Sequence, residues 1–439
     1  MARRGRLARS VSLNAPTTVA QHVTPATSAI ASRWRAPTLK TKVVRFMTTK
    51  FLVNQVASEN APSVLSSSYQ PVNLFLRIIG MCYRINRKEG KKTMMILMIY
   101  NFVMLLSQII YGCLLLVGLH QTRSLQYRWT NATHFSGLTL CAISIWLNVR
   151  IHIMKPKFVD EALSSSSVNE QHVEKRAFVL KLLSICCIVF TCLTVISIEV
   201  ARFNAEDRFG IFDMSTKRMP FVFTCGPLCR FLEVVLHGNC MLKIFAATSV
   251  FMVLSTAIAT EASSLASDIK KYPSNQGIDH LVYRFQSIER SIRELDRNFS
   301  AVLFGFITLT VIGLFLCLRT KAKLMISEGE VGGVSALSAF IVFSVCTGAT
   351  VMFGIYVNGQ LDEFQSASHK VSDLQQMEYF GSNSVKLLSF MLRLSDNRDR
   401  VKVGGMFTIK RQSAVSLVLF IALIGFFLFA ANEGCLNLL

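Results

Sequence analysis

Four polar residues gather at the start of a strongly apolar run. Glu233 stands one residue before the segment Val234–Ala259, and His237, Asn239 and Lys243 stand inside it. Glu233 and His237 are four residues apart, as are Asn239 and Lys243, so each pair shares one face of a helix. Together they offer a carboxylate, an imidazole, an amide and an ammonium group, which is chemistry suited to holding a small polar ligand. Charged groups within a membrane helix are costly and are functional candidates for that reason. The alternative is that the span begins near Lys243 and the earlier three side chains sit among lipid headgroups. Catalytic strings are absent: there is no nucleophile elbow, P-loop or HExxH. An intramembrane enzyme would need paired Asp, or Glu with His, inside its spans, and the apolar runs show no such pair, so no enzyme is expected. The twelve cysteines contain no CxxC or Cys/His metal spacing. Cys113, Cys141, Cys186, Cys187, Cys192, Cys240, Cys317 and Cys346 lie in apolar runs and read as small buried hydrophobes. Neither a metal nor another cofactor is expected.

The elements that position these residues are membrane helices. Half of the residues (51%) are hydrophobic and only 17% are charged, against about 25% in soluble domains, and the mean hydropathy is +0.43. The net charge of +21 does not point to nucleic acid, because the Lys and Arg cluster between apolar runs, where they would meet anionic lipid. A membrane helix needs about 20 mostly apolar residues. Seven runs meet or approach this: Thr93–Leu119, Phe135–Met154, Phe178–Ile198, Val234–Ala259, Ala301–Leu318, Val334–Val357 and Ser413–Ala431. The second is marginal, with Arg150 and His152 near its end expected to snorkel. All nine prolines lie outside these runs, which argues for unbroken helices and against a transporter built from broken ones.

The Lys and Arg of the flanks set the orientation. The segments before spans one, three, five and seven carry 24, and the opposite side carries 10. The expected fold class is therefore an all-α integral membrane protein, multi-pass in the plasma membrane, with seven transmembrane helices. Its N-terminus is cytosolic, its C-terminus is extracellular, and helical extensions precede spans five and seven on the cytosolic side. This is the reverse of a G-protein-coupled receptor, and neither Asp-Arg-Tyr after span three nor Asn-Pro-x-x-Tyr in span seven is present. Asn131, in the sequon Asn131-Ala132-Thr133, falls in the first external loop as a glycosylation candidate. The second external loop holds Cys225 and Cys229, a candidate disulfide; both thiols free, or one paired with Cys435, are the alternatives.

Residues 1–70 form a basic tail, with no Asp or Glu among the first 58. It reads as a disordered cytosolic segment, as a mitochondrial transit peptide, or as the product of a start assigned before Met47. Residues 71–92 are an interfacial segment, because Val72–Tyr83 is too short to span and lies at the interface or under the bundle. Residues 93–259 hold spans one to four, the ligand-sensing bundle. Residues 260–300 contain an amphipathic cytosolic helix with Leu281, Phe285, Ile288, Ile292, Leu295 and Phe299 near helical spacing. Residues 301–357 are spans five and six, where Thr347, Gly348, Thr350 and Gly354 read as close helix packing. Residues 358–412 include a second amphipathic segment, Gln375–Leu394, and a short amphipathic lead-in with Lys410 and Arg411. Both apolar stripes pack on each other, within or between subunits, or lie flat on the membrane. Residues 413–432 are span seven, and 433–439 an extracellular tip.

This organisation resembles the arthropod gustatory receptor family, related to insect odorant receptors, in a divergent form. That family's last span carries Thr-Tyr, five hydrophobic residues, then Gln-Phe. Here the matching string is Gly425-Phe426, Phe427 to Ala431, then Asn432-Glu433. Gly405-Met406-Phe407-Thr408-Ile409-Lys410-Arg411 is similar to the family's lead-in, and Gln70-Pro71 to Gly80 to its segment before span one. The resemblance implies a ligand-gated, non-selective cation channel opened by a small extracellular tastant, assembled as a homotetramer or as a hetero-oligomer with related receptors. It implies a pore lined by the last span, an anchor built from the cytosolic helices, and an outward-facing pocket in each subunit. By motif position Asn432 takes a polar pore site, and Glu433 stands where the family has a gating aromatic. A ring of Glu at the mouth favours cations but is no hydrophobic gate, which leaves Phe426 or Phe429 for that role. A multipass transporter, or an organellar membrane protein with a transit peptide, is the alternative.

Overall fold

A computed structural model describes residues 67–81, 91–121, 125–163, 170–204, 226–271, 278–319, 332–375 and 400–432, all within one compact unit, Pro62–Leu439. The elements are α1 (Gln70–Ile78), α2 (Lys91–Gln121), α3 (Leu125–Val149, extended by a π-helical turn Arg150–Met154), α4 (Pro156–Ala162), α5 (Glu170–Asn204), α6 (Gly226–Lys271), α7 (Ile278–Arg319), α8 (Gly332–Gln375), a two-stranded hairpin β1 (Lys402–Val403) and β2 (Phe407–Thr408), and α9 (Arg411–Asn432). Four helices contain stretches long and apolar enough to cross a membrane: Val173–Val200, Phe231–Ile269, His280–Leu314 and Phe340–Ala367. Shorter apolar stretches lie in the other three long helices, at Ile99–Cys113, Gly137–His152 and Arg411–Leu423.

The sorting of residues on α5 identifies its solvent. Phe178, Leu182, Ile185, Val189, Leu193, Ile196 and Val200 are exposed, whereas Ser184, Thr191 and Glu199 are buried. Large apolar groups outside and polar groups inside invert the order of a soluble protein and suit a helix whose outer face meets lipid. α6 is the centre of the bundle and packs against α2, α3, α5, α7 and α8. Its apolar window is 89% buried, against 28% for that of α5, so α6 is the helix on which interior chemistry is held.

α1 packs on α5 and α6, burying Val72, Phe75 and Leu76. It stops in a Schellman turn: Gly80 takes φ +70, its N–H donates to Arg77 O, and the Met81 N–H donates to Leu76 O. His152 does not snorkel as expected. It is buried, its Nδ1 donates to Asn148 O at 3.1 Å, and its Nε2 accepts from the Tyr69 hydroxyl at 2.9 Å. The π turn, together with these two partners, places the ring inside the protein. Arg150 lies over the Trp146 ring at 5.0 Å.

α7 is one continuous helix whose first half carries the amphipathic stripe. Phe285, Ile288, Ile292, Leu295 and Phe299 are buried, and Phe285 stacks on Phe364 of α8 at 5.5 Å. The stripe is thus covered within its own chain and does not lie flat on a membrane. The second amphipathic segment falls mostly outside the described residues. The lead-in to the last helix is a hairpin, not the amphipathic turn expected: Gly404 and Gly405 at φ +59 and +71 turn the chain between Val403 and Phe407, and Lys402 pairs with Thr408. Positive φ costs little only for glycine. Cys113 and Cys186 also depart from expectation, since they are exposed on the outer surface, while Cys141, Cys187, Cys240 and Cys346 are buried.

Candidate functional site

α6 carries all four candidate ligand residues, and all four are buried: Glu233, His237, Asn239 and Lys243. None is exposed on the outside of the bundle. The helix nevertheless divides them between different neighbours. His237 turns to α5, where its Nδ1 meets Glu199 Oε1 at 2.5 Å. The two helices can approach this closely because Gly238 has no side chain; a Cβ there would lie 3.3 Å from Glu199 Cγ. This corrects the expectation that no Glu/His pair exists inside the apolar helices. Glu199 is the residue that sequence reasoning missed, because it stands one position past the run Phe178–Ile198. A carboxylate bonded to an imidazole with no nucleophile in the pair is an electrostatic contact, suited to holding two helices or a polar ligand group.

Asn239 and Lys243 turn the other way. Asn239 Nδ2 approaches Met104 Sδ of α2 at 3.8 Å, and Asn239 Oδ1 has no hydrogen-bond partner. Beside it Gln108 of α2 donates to Leu236 O at 3.4 Å, while its own Oε1 is unpartnered. Lys243 is 0% exposed, and its Nζ has no hydrogen-bond partner. The groups beside it are the thiols of Cys141 of α3 and Cys240 of α6, which hydrogen-bond each other. The face shared by α2, α3 and α6 therefore concentrates buried polar atoms that the protein itself does not satisfy, an arrangement that native interiors largely avoid.

A second polar cluster lies at the Lys/Arg-rich end, among α5, α6 and α7. Glu261 binds both Arg176 and Arg284. Arg284 reaches Glu261 Oε1 through Nη2 at 2.8 Å and Asp268 through Nη1 at 2.5 Å. Arg176 also donates to Thr260 Oγ1 at 3.1 Å and to Ala257 O at 3.0 Å. Both arginines belong to the Lys/Arg-rich segments that imply the orientation, yet both are buried. Removing them from the count leaves the imbalance of charge in the same direction. Outside this network Lys155 pairs with Glu294, which ties the α3–α4 junction to α7.

The hairpin before α9 is fastened from two sides. Asn358 of α8 is buried; its Nδ2 donates to Val401 O at 3.1 Å and to Ile409 O at 2.7 Å, and its Oδ1 accepts from Val401 N at 3.0 Å. On α7, Asp296 Oδ1 accepts from Lys402 N at 2.7 Å, Ser300 Oγ from Gly405 N at 2.6 Å, and Ser300 O from Gly404 N at 3.0 Å. Gly354 leaves room for Ile409; a Cβ there would stand 2.8 Å from Ile409 Cδ1. The small residue of this helix thus admits the hairpin rather than another helix. Thr347, one of the neighbouring small polar residues, bonds Thr310 of α7 at 2.8 Å.

Phe426, Phe429 and Asn432 lie in the last two to three turns of α9, with side chains outside the described ones, and Glu433 lies outside the described residues. Asn131 falls within α3, again without a described side chain. Cys229 opens α6 likewise, and Cys225 lies outside the described residues.

No protein-family model matches the chain, and no curated protein matches it by sequence. Solved structures do. The insect olfactory receptor OR5 from Machilis hrabei aligns with a TM-score of 0.64 at 12% identity, over 83% of this chain and 97% of that one. The same receptor in complex with eugenol aligns with a TM-score of 0.63 at 12% identity, over 84% of this chain and 99% of that one. The fold is therefore that of an insect olfactory receptor over nearly the receptor's whole length.

Proposed function

We propose that the chain is a chemoreceptor of insect type: a ligand-gated, non-selective cation channel opened by a small extracellular molecule. The observation that carries this is the fold likeness to OR5 across almost all of that receptor, which in one structure holds eugenol. The unsatisfied polar face of α2, α3 and α6 supports the small-molecule part of the reading, because it supplies directional groups inside the helix bundle. The motif-like string at 425–433 supports a gustatory subtype, with sugars and bitter compounds as tastants to be tried beside odorants. In this reading seven helices cross the plasma membrane, with the N-terminus inside and the C-terminus outside, and four copies place α9 around a common pore. Phe426 and Phe429 then form the hydrophobic constriction, with Asn432 and Glu433 at the outer mouth.

The test is expression of the whole chain in cells, with current recorded while a panel of sugars, bitter compounds and volatile odorants is applied. Ligand-evoked cation current is expected. Glu433→Gln should then lower single-channel conductance or cation preference, because it removes a ring of negative charge; an unchanged pore would place Glu433 away from the mouth. Tags on each terminus of intact cells should be accessible only at the C-terminus. Import into mitochondria with loss of the basic tail would replace the channel with an organellar membrane protein.

A further inference from the structure

Lys243 sets a chemical demand that the described residues around it do not meet. An ammonium taken out of water needs a counter-charge or a full set of hydrogen bonds. The other buried charged side chains have partners: Arg176 and Arg284 share Glu261, and Glu199 holds His237. Lys243 is fully buried and its Nζ bonds nothing. On its own helix the nearest carboxylates are Glu233, ten residues back, and Glu261, eighteen residues on, about 15 and 27 Å along the axis at 1.5 Å per residue; off the helix, Glu199 of α5 is within electrostatic reach of Cys240 but is bonded to His237, six residues or about 9 Å back. The groups beside it are the thiols of Cys141 and Cys240. One turn back on the same face, Asn239 Oδ1 also lacks a partner, as does Gln108 Oε1 across on α2. One cationic donor and two amide acceptors are buried along the face of α6 that meets α2 and α3, over the two turns from Leu236 to Lys243, and fit a guest that brings an anion and a hydrogen-bond donor.

We infer that the α2–α3–α6 face around Lys243 binds a small organic acid, whose carboxylate pairs with Lys243 Nζ. This rests on the reading of the chain as a chemoreceptor and gives its ligand a chemical class. A free hydroxyl or amino group on the acid would meet Asn239 and Gln108. Removing the ligand's charge would strand the ammonium again, so the matching amide or alcohol binds more weakly. Apolar substitution of Lys243 removes the discrimination without an equivalent loss for neutral compounds.

The test uses the purified full chain in nanodiscs and follows its thermal unfolding, since a ligand that binds only the folded state raises the melting temperature. The probes are linear and α-hydroxy carboxylates of two to ten carbons, each beside its primary amide. At least one acid is expected to bind ten-fold or more tighter than its amide in the native chain, and Lys243→Met should reduce that ratio to near one while keeping the melting temperature without probe. If Lys243→Met does not fold, Lys243→Gln takes its place. Acids that stabilise no better than their amides, or a preference that survives the substitution, overturn the inference. Current recorded from the same chain separates the two claims. Acids that bind through Lys243 yet evoke no current leave the site standing and sink the channel. Currents evoked by neutral compounds only, with no acid binding, leave the channel standing and sink the site.

Discussion

At the scale of single residues, the buried charges differ in what they have been given. Glu261 neutralises two arginines at once, Arg176 and Arg284, the latter 1% exposed. Glu261→Gln would keep the shape of the side chain and remove the charge, which deprives Arg176 and Arg284 of the carboxylate they share. Breaking a buried pair from one side costs ~3–5 kcal/mol, so a marked fall in the melting temperature of the purified protein is expected; a shift of a degree or less would mean that water reaches the network. Lys243→Met should leave the melting temperature where it is. It removes a charge that has no protein partner, and replacing buried ions with apolar groups of similar size is often neutral or stabilising. Measuring both variants in one preparation tests whether the two clusters play different parts, one structural and one open to a guest. The sequence disclosed the second cluster and hid the first. Lys243 stood out as a charge within an apolar run, whereas Arg176 and Arg284 stood in polar stretches, where burial leaves no mark on composition. Glu199 was hidden for a related reason: the edge of a hydropathic run does not coincide with the edge of a helix.

At the scale of elements, the hairpin between Val401 and Ile409 is what fixes the start of α9. Asn358 satisfies three backbone groups of the hairpin, and each group left buried and unpaired costs ~1–3 kcal/mol. Asn358→Ala is therefore expected to lower stability and to reduce the maximal ligand-evoked current, since α9 would lose its fixed origin on α8. Retention of full current would show that the α7 contacts through Asp296 and Ser300 are sufficient. Steric contact at the same place gives an independent check. Gly354→Ala puts a methyl against Ile409 Cδ1, and overpacking of this kind costs ~1–3 kcal/mol. Ile409→Val deletes that carbon, so the double variant should recover part of the loss; additive damage would mean that the clash is relieved elsewhere. The contrast between α7 and this hairpin explains how much of the fold was legible. Leu281 to Phe299 repeat with helical spacing over five turns, and α7 follows that pattern. Two strands of two residues each carry no period, and the one available cue was Gly404-Gly405, whose positive φ values end any helical lead-in.

At the scale of the whole molecule, α9 is the helix least accounted for by its own chain. Seven other helices pack on α6, whereas the main neighbour of α9 is α7. Val415, Val418, Leu419, Phe420 and Leu423 are all exposed; as successive positions of a helix they point in several directions, not along one lipid-facing stripe. α5, by contrast, has a buried face, with Leu180, Ser184, Cys187, Thr191 and Val195 turned inward. A helix bare on several sides has room both for lipid and for the same helix of further copies, and closed rings are the usual outcome when identical chains meet about an axis. Purified in mild detergent, the chain is expected to have four times its own mass of 49.1 kDa, after correction for bound detergent. Phe420→Asp would place a carboxylate at an exposed position of α9. If Phe420 faces a neighbouring copy, this charge repels its own kind and the assembly falls to lower mass. If it faces lipid, membrane insertion suffers while the inserted fraction keeps its mass. A native chain that is monomeric at every concentration tried, yet still passes ligand-evoked current, would remove the shared pore.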